Sequence, residues 1–250
     1  MSFLAALGFL TIIPLPRRCE IALEQLARST AYFPLVGIII GLILAGLYWL
    51  LHLILPSSVV SGLLVVGAVV ISGGLHLDGF IDTFDGIGGH KTAEARWQVM
   101  HDSRAGAFGI VAVFCLLLVK YVSLNSVPES LMMATLVLMP IVSRWAMVYA
   151  IFAYPYAKPS GLGKAIKERT SWRRFTVATI IALAAAIPLF QWAGPVIMLG
   201  VWIITMAMAA YLRRKFSGLT GDTYGAINEV AEVSVLILVL LLVHNQWLKG

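Results

Sequence analysis

Three carboxylates fall within eight residues of the stretch Leu77-Asp78-Gly79-Phe80-Ile81-Asp82-Thr83-Phe84-Asp85-Gly86, directly after a hydrophobic run. On a helix of about 3.6 residues per turn, Asp82 lies about 40° to one side of Asp78 and Asp85 about 20° to the other, so one face carries all three. Like charges this close repel, so some must hold a proton or a cation must hold them together. Donors that are all carboxylate oxygen select Mg²⁺ or Mn²⁺ over zinc, and Mg²⁺ is the expected cofactor.

Other polar sets could join them. Asp222 and Glu229 in Gly221-Asp222-Thr223-Tyr224-Gly225-Ala226-Ile227-Asn228-Glu229 repeat the spacing of Asp78 and Asp85. On a helix they share a face, with Gly225 between them allowing a partner to approach closely. Glu232 continues this pattern into an apolar run, where a carboxylate should face other helices and not lipid. Arg144, in Val142-Ser143-Arg144-Trp145-Ala146, also lies inside an apolar run, and its planar fork suits a phosphate or a buried carboxylate. Lys158-Pro159-Ser160-Gly161-Leu162-Gly163-Lys164 could cradle phosphate through backbone N–H groups, although its order is not that of a Walker A loop. His76, His90 and His101 cluster with the acids in sequence and are candidate proton carriers.

The elements that position these residues are membrane helices. Of 250 residues, 60% are hydrophobic and 12% charged, against about 25% charged in soluble domains, and the mean hydropathy is +0.92. The expected fold is all-α: one integral-membrane domain over residues 1–250, a polytopic bundle of about seven spans. These lie near 31–55, 58–77, 107–124, 131–153, 175–192, 194–212 and 230–248. Residues 1–16 are too short to span and read as a re-entrant or interfacial segment. Residues 17–30 read as a surface helix, and Thr92 as the cap of a short helix reaching His101. Two cysteines far apart in sequence, Cys19 and Cys115, suggest neither a disulfide framework nor a zinc site.

Fifteen of the 18 Lys and Arg fall before the first span and after the second, fourth and sixth. The positive-inside rule then puts the N-terminus and the acidic motifs on the cytoplasmic side of the inner membrane. The net charge of +6 is read as loop charge meeting lipid headgroups, with no nucleic acid partner. A homo-oligomer is compatible with the sequence.

Metal-binding acids beside phosphate-suited basic residues point to phosphoryl-type transfer, and the mouth of a membrane bundle suits an amphiphilic substrate. Three segments then resemble the cobalamin synthase (CobS) family: Gly74-Leu75-His76-Leu77-Asp78-Gly79-Phe80-Ile81-Asp82-Thr83-Phe84-Asp85-Gly86, His101-Asp102-Ser103-Arg104-Ala105-Gly106-Ala107-Phe108-Gly109 and Thr220-Gly221-Asp222-Thr223-Tyr224-Gly225-Ala226. The opening Gly8-Phe9-Leu10-Thr11-Ile12-Ile13-Pro14-Leu15-Pro16 is also similar, with Ile12 where that family usually carries an Arg. The resemblance implies Mg²⁺-dependent joining of adenosylcobinamide-GDP to α-ribazole, or to its 5′-phosphate, with release of GMP. On that reading Asp78, Asp82, Asp85 and Asp222 hold metal. Asp82, Asp85 and Asp102 are the catalytic candidates. His76, Arg104, Arg144, Lys164 and Glu229 bind substrate.

Two other readings stand beside it. Asp82-Thr83-Phe84-Asp85-Gly86 matches the start of the CDP-alcohol phosphotransferase motif, but Gly89-His90 replaces its Ala-Arg and the later acids are absent at the expected spacing. An ion-coupled transporter would need inverted internal symmetry and a midplane site; the sequence shows no such symmetry, and its acids gather at one face.

Overall fold

The computed structural model describes residues 2–15, 23–89, 92–100, 102 and 104–248. Among them the chain is helical, with no strand beyond one isolated bridge. A short helix α1 (Ser2–Leu10) and a single turn α2 (Leu23–Ala27) precede α3 (Phe33–Leu51), which is entered through a 3₁₀ turn at Ser29–Tyr32. Then come α4 (Ser57–Ile71), α5 (Leu75–Ile87), α6 (Ala93–Met100), α7 (Ala107–Asn125), α8 (Glu129–Ala153) and α9 (Leu162–Arg169). The chain finishes with α10 (Trp172–Phe190), α11 (Ala193–Phe216) and α12 (Gly221–His244).

Six of these elements are long and apolar enough to cross a membrane: α3 with its 3₁₀ turn, α7, α8, α10, α11 and α12. Large apolar side chains such as Leu42, Trp49, Phe114 and Ile180 point outward from them, as a surface meeting lipid requires. The all-α membrane bundle expected from composition is therefore present.

The expected second span at 58–77 takes a different form. α4 stops at Ile71, and α5 leaves it at 90°. Gly73 and Gly74 both have left-handed φ angles, +62° and +72°, a conformation glycine adopts without steric cost and which ends a helix. α4 alone is about 22 Å long at about 1.5 Å per residue, short of a hydrocarbon core of about 30 Å. α5 runs instead across the starts of α7 and α12. The last span also differs, since α12 begins at Gly221 and not near 230. Thr220 starts it through a capping box in which its hydroxyl accepts from the Thr223 N–H and the Thr223 hydroxyl accepts from the Thr220 N–H.

α8 is the most enclosed helix, packed against α3, α12, α10 and α11. Small residues allow this. A Cβ on Gly41 of α3 would come within 2.6 Å of Val137 Cα on α8, so the two backbones pack directly, as membrane helices do where bulk is absent.

The bundle interior also holds four charges. Lys120 of α7 donates to Glu229 Oε2 and Glu232 Oε2 of α12, each at 2.7 Å. Arg144 of α8 pairs with the other oxygen of Glu232 and donates to Ser143 Oγ at 3.0 Å. All four side chains are buried. The set carries two positive and two negative charges, so its formal sum is zero. Each ion costs several kcal/mol to take out of water, and its partners offset that cost only while the set is complete.

Removing one member should show this. Lys120→Met leaves Glu229 and Glu232 facing Arg144 alone and should lower stability by about 3–5 kcal/mol. Adding Glu229→Gln restores neutrality and should return much of the loss, read as thermal unfolding of detergent-purified protein. A double variant no more stable than the single one would contradict the charge balance.

Candidate active site

The right-angle turn at Gly73-Gly74 sets the site. It directs α5 across α12 so closely that a Cβ on Gly79 would lie 2.8 Å from Asp222 Cα, and one on Gly225 3.0 Å from the His76 carbonyl oxygen. Only hydrogen fits at Gly79, and little more at Gly225. Asp78 and Asp82, on α5, are thereby brought against Asp222 in the first turn of α12, although the two segments are about 140 residues apart in sequence.

The electrostatics follow. The half-buried Asp82 carboxyl is pushed up to about 7, first by desolvation and then by the charges of Asp78, Asp222 and Asp85, with Lys158 pulling it back down. Crowded carboxylates of this kind favour a proton or a cation.

Asp85 has a different setting. Its carboxylate is buried and accepts from the Gly106 N–H at 2.7 Å and the Gly109 N–H at 2.8 Å. Both oxygens thus meet backbone donors at the start of α7, where an anion complements the helix dipole. Asp85 fastens α5 to α7.

A cavity of about 360 Å³ opens beside the acids. Its lining combines Asp78, Asp222, His76 and Tyr224 with Lys158, Ser160 and Gly161 and with the apolar Phe9, Phe33, Met147, Ile151 and Ile166. The Lys158 loop is held there by a short parallel bridge: the Ala157 N–H donates to the Leu219 carbonyl and the Leu219 N–H to the Pro155 carbonyl, each at 2.8 Å. That bridge ties the loop after α8 to the loop before α12.

The His76 ring is buried at this cavity, and its tautomer follows from its neighbours. Glu232, bridged by Lys120 and Arg144, has no proton to give, so Asn228 meets it through its amide NH₂, at 3.4 Å. The same nitrogen lies 3.1 Å from His76 Nδ1. Nδ1 therefore accepts, and the ring hydrogen sits on Nε2. Among the described residues Nε2 has no hydrogen-bond partner, nor has the buried Tyr224 hydroxyl.

Of the residues singled out in the sequence, Asp78, Asp82, Asp222 and His76 come together here. Arg144 and Glu229 sit deeper, in the buried charge set. Asp102 and Arg104 pair with each other at the surface, with Nη2–Oδ2 at 2.7 Å. Hydrogen bonds from Arg104 hold the Asp102 carboxyl down at about 2. Lys164 faces Glu168 one turn along α9, at 3.5 Å. His90 and His101 lie outside the described residues. The sequence reading passed over Lys158 as a site residue, and also Tyr224, Asn228 and Lys120. Lys158 was visible in the glycine-containing loop, but nothing local ranked it above Lys164.

Among the described residues, no three His, Cys, Asp or Glu side chains are arranged to hold a metal ion by themselves. Mg²⁺ usually takes one or two carboxylates, keeps several waters and fills its shell with substrate phosphate oxygens. Asp78 and Asp222, both lining the cavity, could supply hard oxygen donors of that kind.

Comparison with known proteins agrees with the motifs. A family model described as cobalamin-5-phosphate synthase matches residues 2–241. A protein of Desulforamulus reducens is 36% identical over 241 residues, 96% of each chain. One of a Roseiflexus species is 36% identical over 236 residues, 94% of this chain and 88% of its own. One of Clostridium tetani is 34% identical over 247 residues, 98% of each. All three relatives are named adenosylcobinamide-GDP ribazoletransferase. No solved structure matches. With the match running nearly end to end and the acidic helix set against the first turn of α12, the chain belongs to the cobalamin-5-phosphate synthase (CobS) family.

Proposed function

We propose that this chain is a Mg²⁺-dependent adenosylcobinamide-GDP ribazoletransferase, working at the end of the bundle where α7 and α12 begin. The observation that carries the reading is the pairing of Asp78 and Asp222 on one cavity, with Asp82 beside them. The full-length family match favours it over a CDP-alcohol phosphotransferase or an ion-coupled transporter.

In the reaction a hydroxyl oxygen of α-ribazole, or of its 5′-phosphate, forms a bond to the phosphorus that carries the cobinamide aminopropanol arm. The bond from that phosphorus to the bridging oxygen breaks, and GMP leaves with the electron pair. The hydroxyl proton must go to a base. Asp78 and Asp222 are the residues that would hold Mg²⁺, which neutralises diphosphate oxygens and eases departure of GMP when bound. Asp82 is the candidate proton acceptor, a half-buried carboxyl beside both of these residues and not itself needed to hold the metal. Asp102, held low by Arg104 at the surface, suits that task less. Lys158 adds positive charge at the same cavity. His76, through Nε2–H, offers a fixed neutral donor to a substrate oxygen. Asp85, Arg144 and Glu229 keep the helices in place.

Purified protein in detergent or lipid vesicles should release GMP from adenosylcobinamide-GDP only with α-ribazole and Mg²⁺ both present. A chelator should stop the reaction and Mg²⁺ should restore it. Asp82→Asn should slow turnover by about 10²–10⁴-fold, the range for loss of a proton-transfer group. GMP release that ignores chelation, or an Asp82→Asn enzyme at wild-type rate, would contradict the proposal.

His76 allows a finer check. Gln can place an amide N–H near the position of Nε2, whereas Ala cannot. His76→Gln should therefore keep more activity than His76→Ala, with both variants folded by thermal unfolding. Equal losses would argue against a donor role.

A further inference from the structure

The lining of the cavity beside Asp78 and Asp222 chooses between the two substrates of the proposed reaction. Much of it is carbon: Phe9 from α1, Phe33 from α3, Met147 and Ile151 from α8. His76 and Tyr224 line it too, only 2% and 5% exposed, and among the described residues neither His76 Nε2 nor the Tyr224 hydroxyl has a hydrogen-bond partner. Buried polar atoms of this kind call for a partner, and a ligand can supply one.

The size narrows the choice. At about 360 Å³ the cavity is near the small end of ligand sites, which run to about 1,000 Å³. A corrin ring with its amide arms does not fit, but a nucleoside does. Two nucleoside parts are available, the guanosine of the donor and the α-ribazole acceptor. Guanine carries carbonyl, amino and ring N–H groups along its edge, and the carbon lining would strip them of hydrogen bonds. The dimethylbenzimidazole of α-ribazole is a fused aromatic plate with two methyl groups and a single free ring nitrogen, which that lining accepts at little polar cost.

We infer that this cavity is the α-ribazole subsite, with the base against Phe9, Phe33, Met147 and Ile151 and the ribose hydroxyls toward His76 and Tyr224. The acceptor hydroxyl then shares the cavity with Asp78 and Asp222. The inference rests on the ribazoletransferase reading and adds a division of the site to it. It also gives α1 a task, since Phe9 joins the carbon lining without spanning the membrane.

Two measurements test it. In a chain with Cys19→Ser and Cys115→Ser, Ile151→Cys places one thiol in the carbon lining. α-Ribazole should slow its reaction with a small maleimide by about tenfold at saturation, and GMP should not. Steady-state kinetics of Tyr224→Phe should show KM for α-ribazole raised severalfold and KM for adenosylcobinamide-GDP unchanged, the pattern of a lost binding contact to one substrate. Protection by GMP or by the donor but not by α-ribazole, or a KM change confined to the donor, would overturn the subsite assignment. A wild-type chain that releases no GMP from the donor under any condition would instead overturn the reaction itself.

Discussion

Backbone meets backbone where α5 crosses α12, and the site depends on that contact. Gly79 leaves no room for a methyl group and Gly225 little, so the α5 backbone that carries Asp78 and Asp82 lies directly against that of Asp222. Desolvation first, and then the charges of the neighbouring acids, push the Asp82 carboxyl up, so the fold must force these groups together. That is a common arrangement at sites whose ligand brings a metal and phosphates.

The force comes from the surroundings of α5. Its entry is fixed by two left-handed glycines and its far end by Asp85, clamped to the N–H groups that open α7. Below it, Lys120, Arg144, Glu229 and Glu232 tie α7, α8 and α12 into a neutral cluster. Asn228 links that cluster to His76 and so sets which ring nitrogen carries the hydrogen. Charge buried in the bundle thus orders a group at the cavity through two hydrogen bonds. The structural and chemical polar residues form one connected arrangement, with the apolar exterior left to lipid.

Much of this was legible in the sequence because it was local or compositional. Apolar runs announced the spans, the spacing of Asp78, Asp82 and Asp85 announced a shared helical face, and Gly225 announced a close crossing. What could not be read depended on partners far along the chain. Gly73-Gly74 sat inside an apolar run that scored as one span, and only their φ angles reveal the turn. The pairing of Lys120 with Glu229 and Glu232 could not be read either, because those partners lie more than 100 residues away. The hydrogen bonds that Asp85 accepts were equally hidden, as they come from N–H groups 21 and 24 residues away.

On the proposed function Asp78 and Asp222, from opposite halves of the chain, act as one divalent-cation site. Its most direct test is binding of Mn²⁺ in place of Mg²⁺, titrated by electron paramagnetic resonance on purified protein with adenosylcobinamide-GDP present. The account predicts that Asp78→Asn and Asp222→Asn each weaken Mn²⁺ binding by more than about tenfold while leaving thermal unfolding unchanged. Wild-type Mn²⁺ affinity in Asp222→Asn would contradict it.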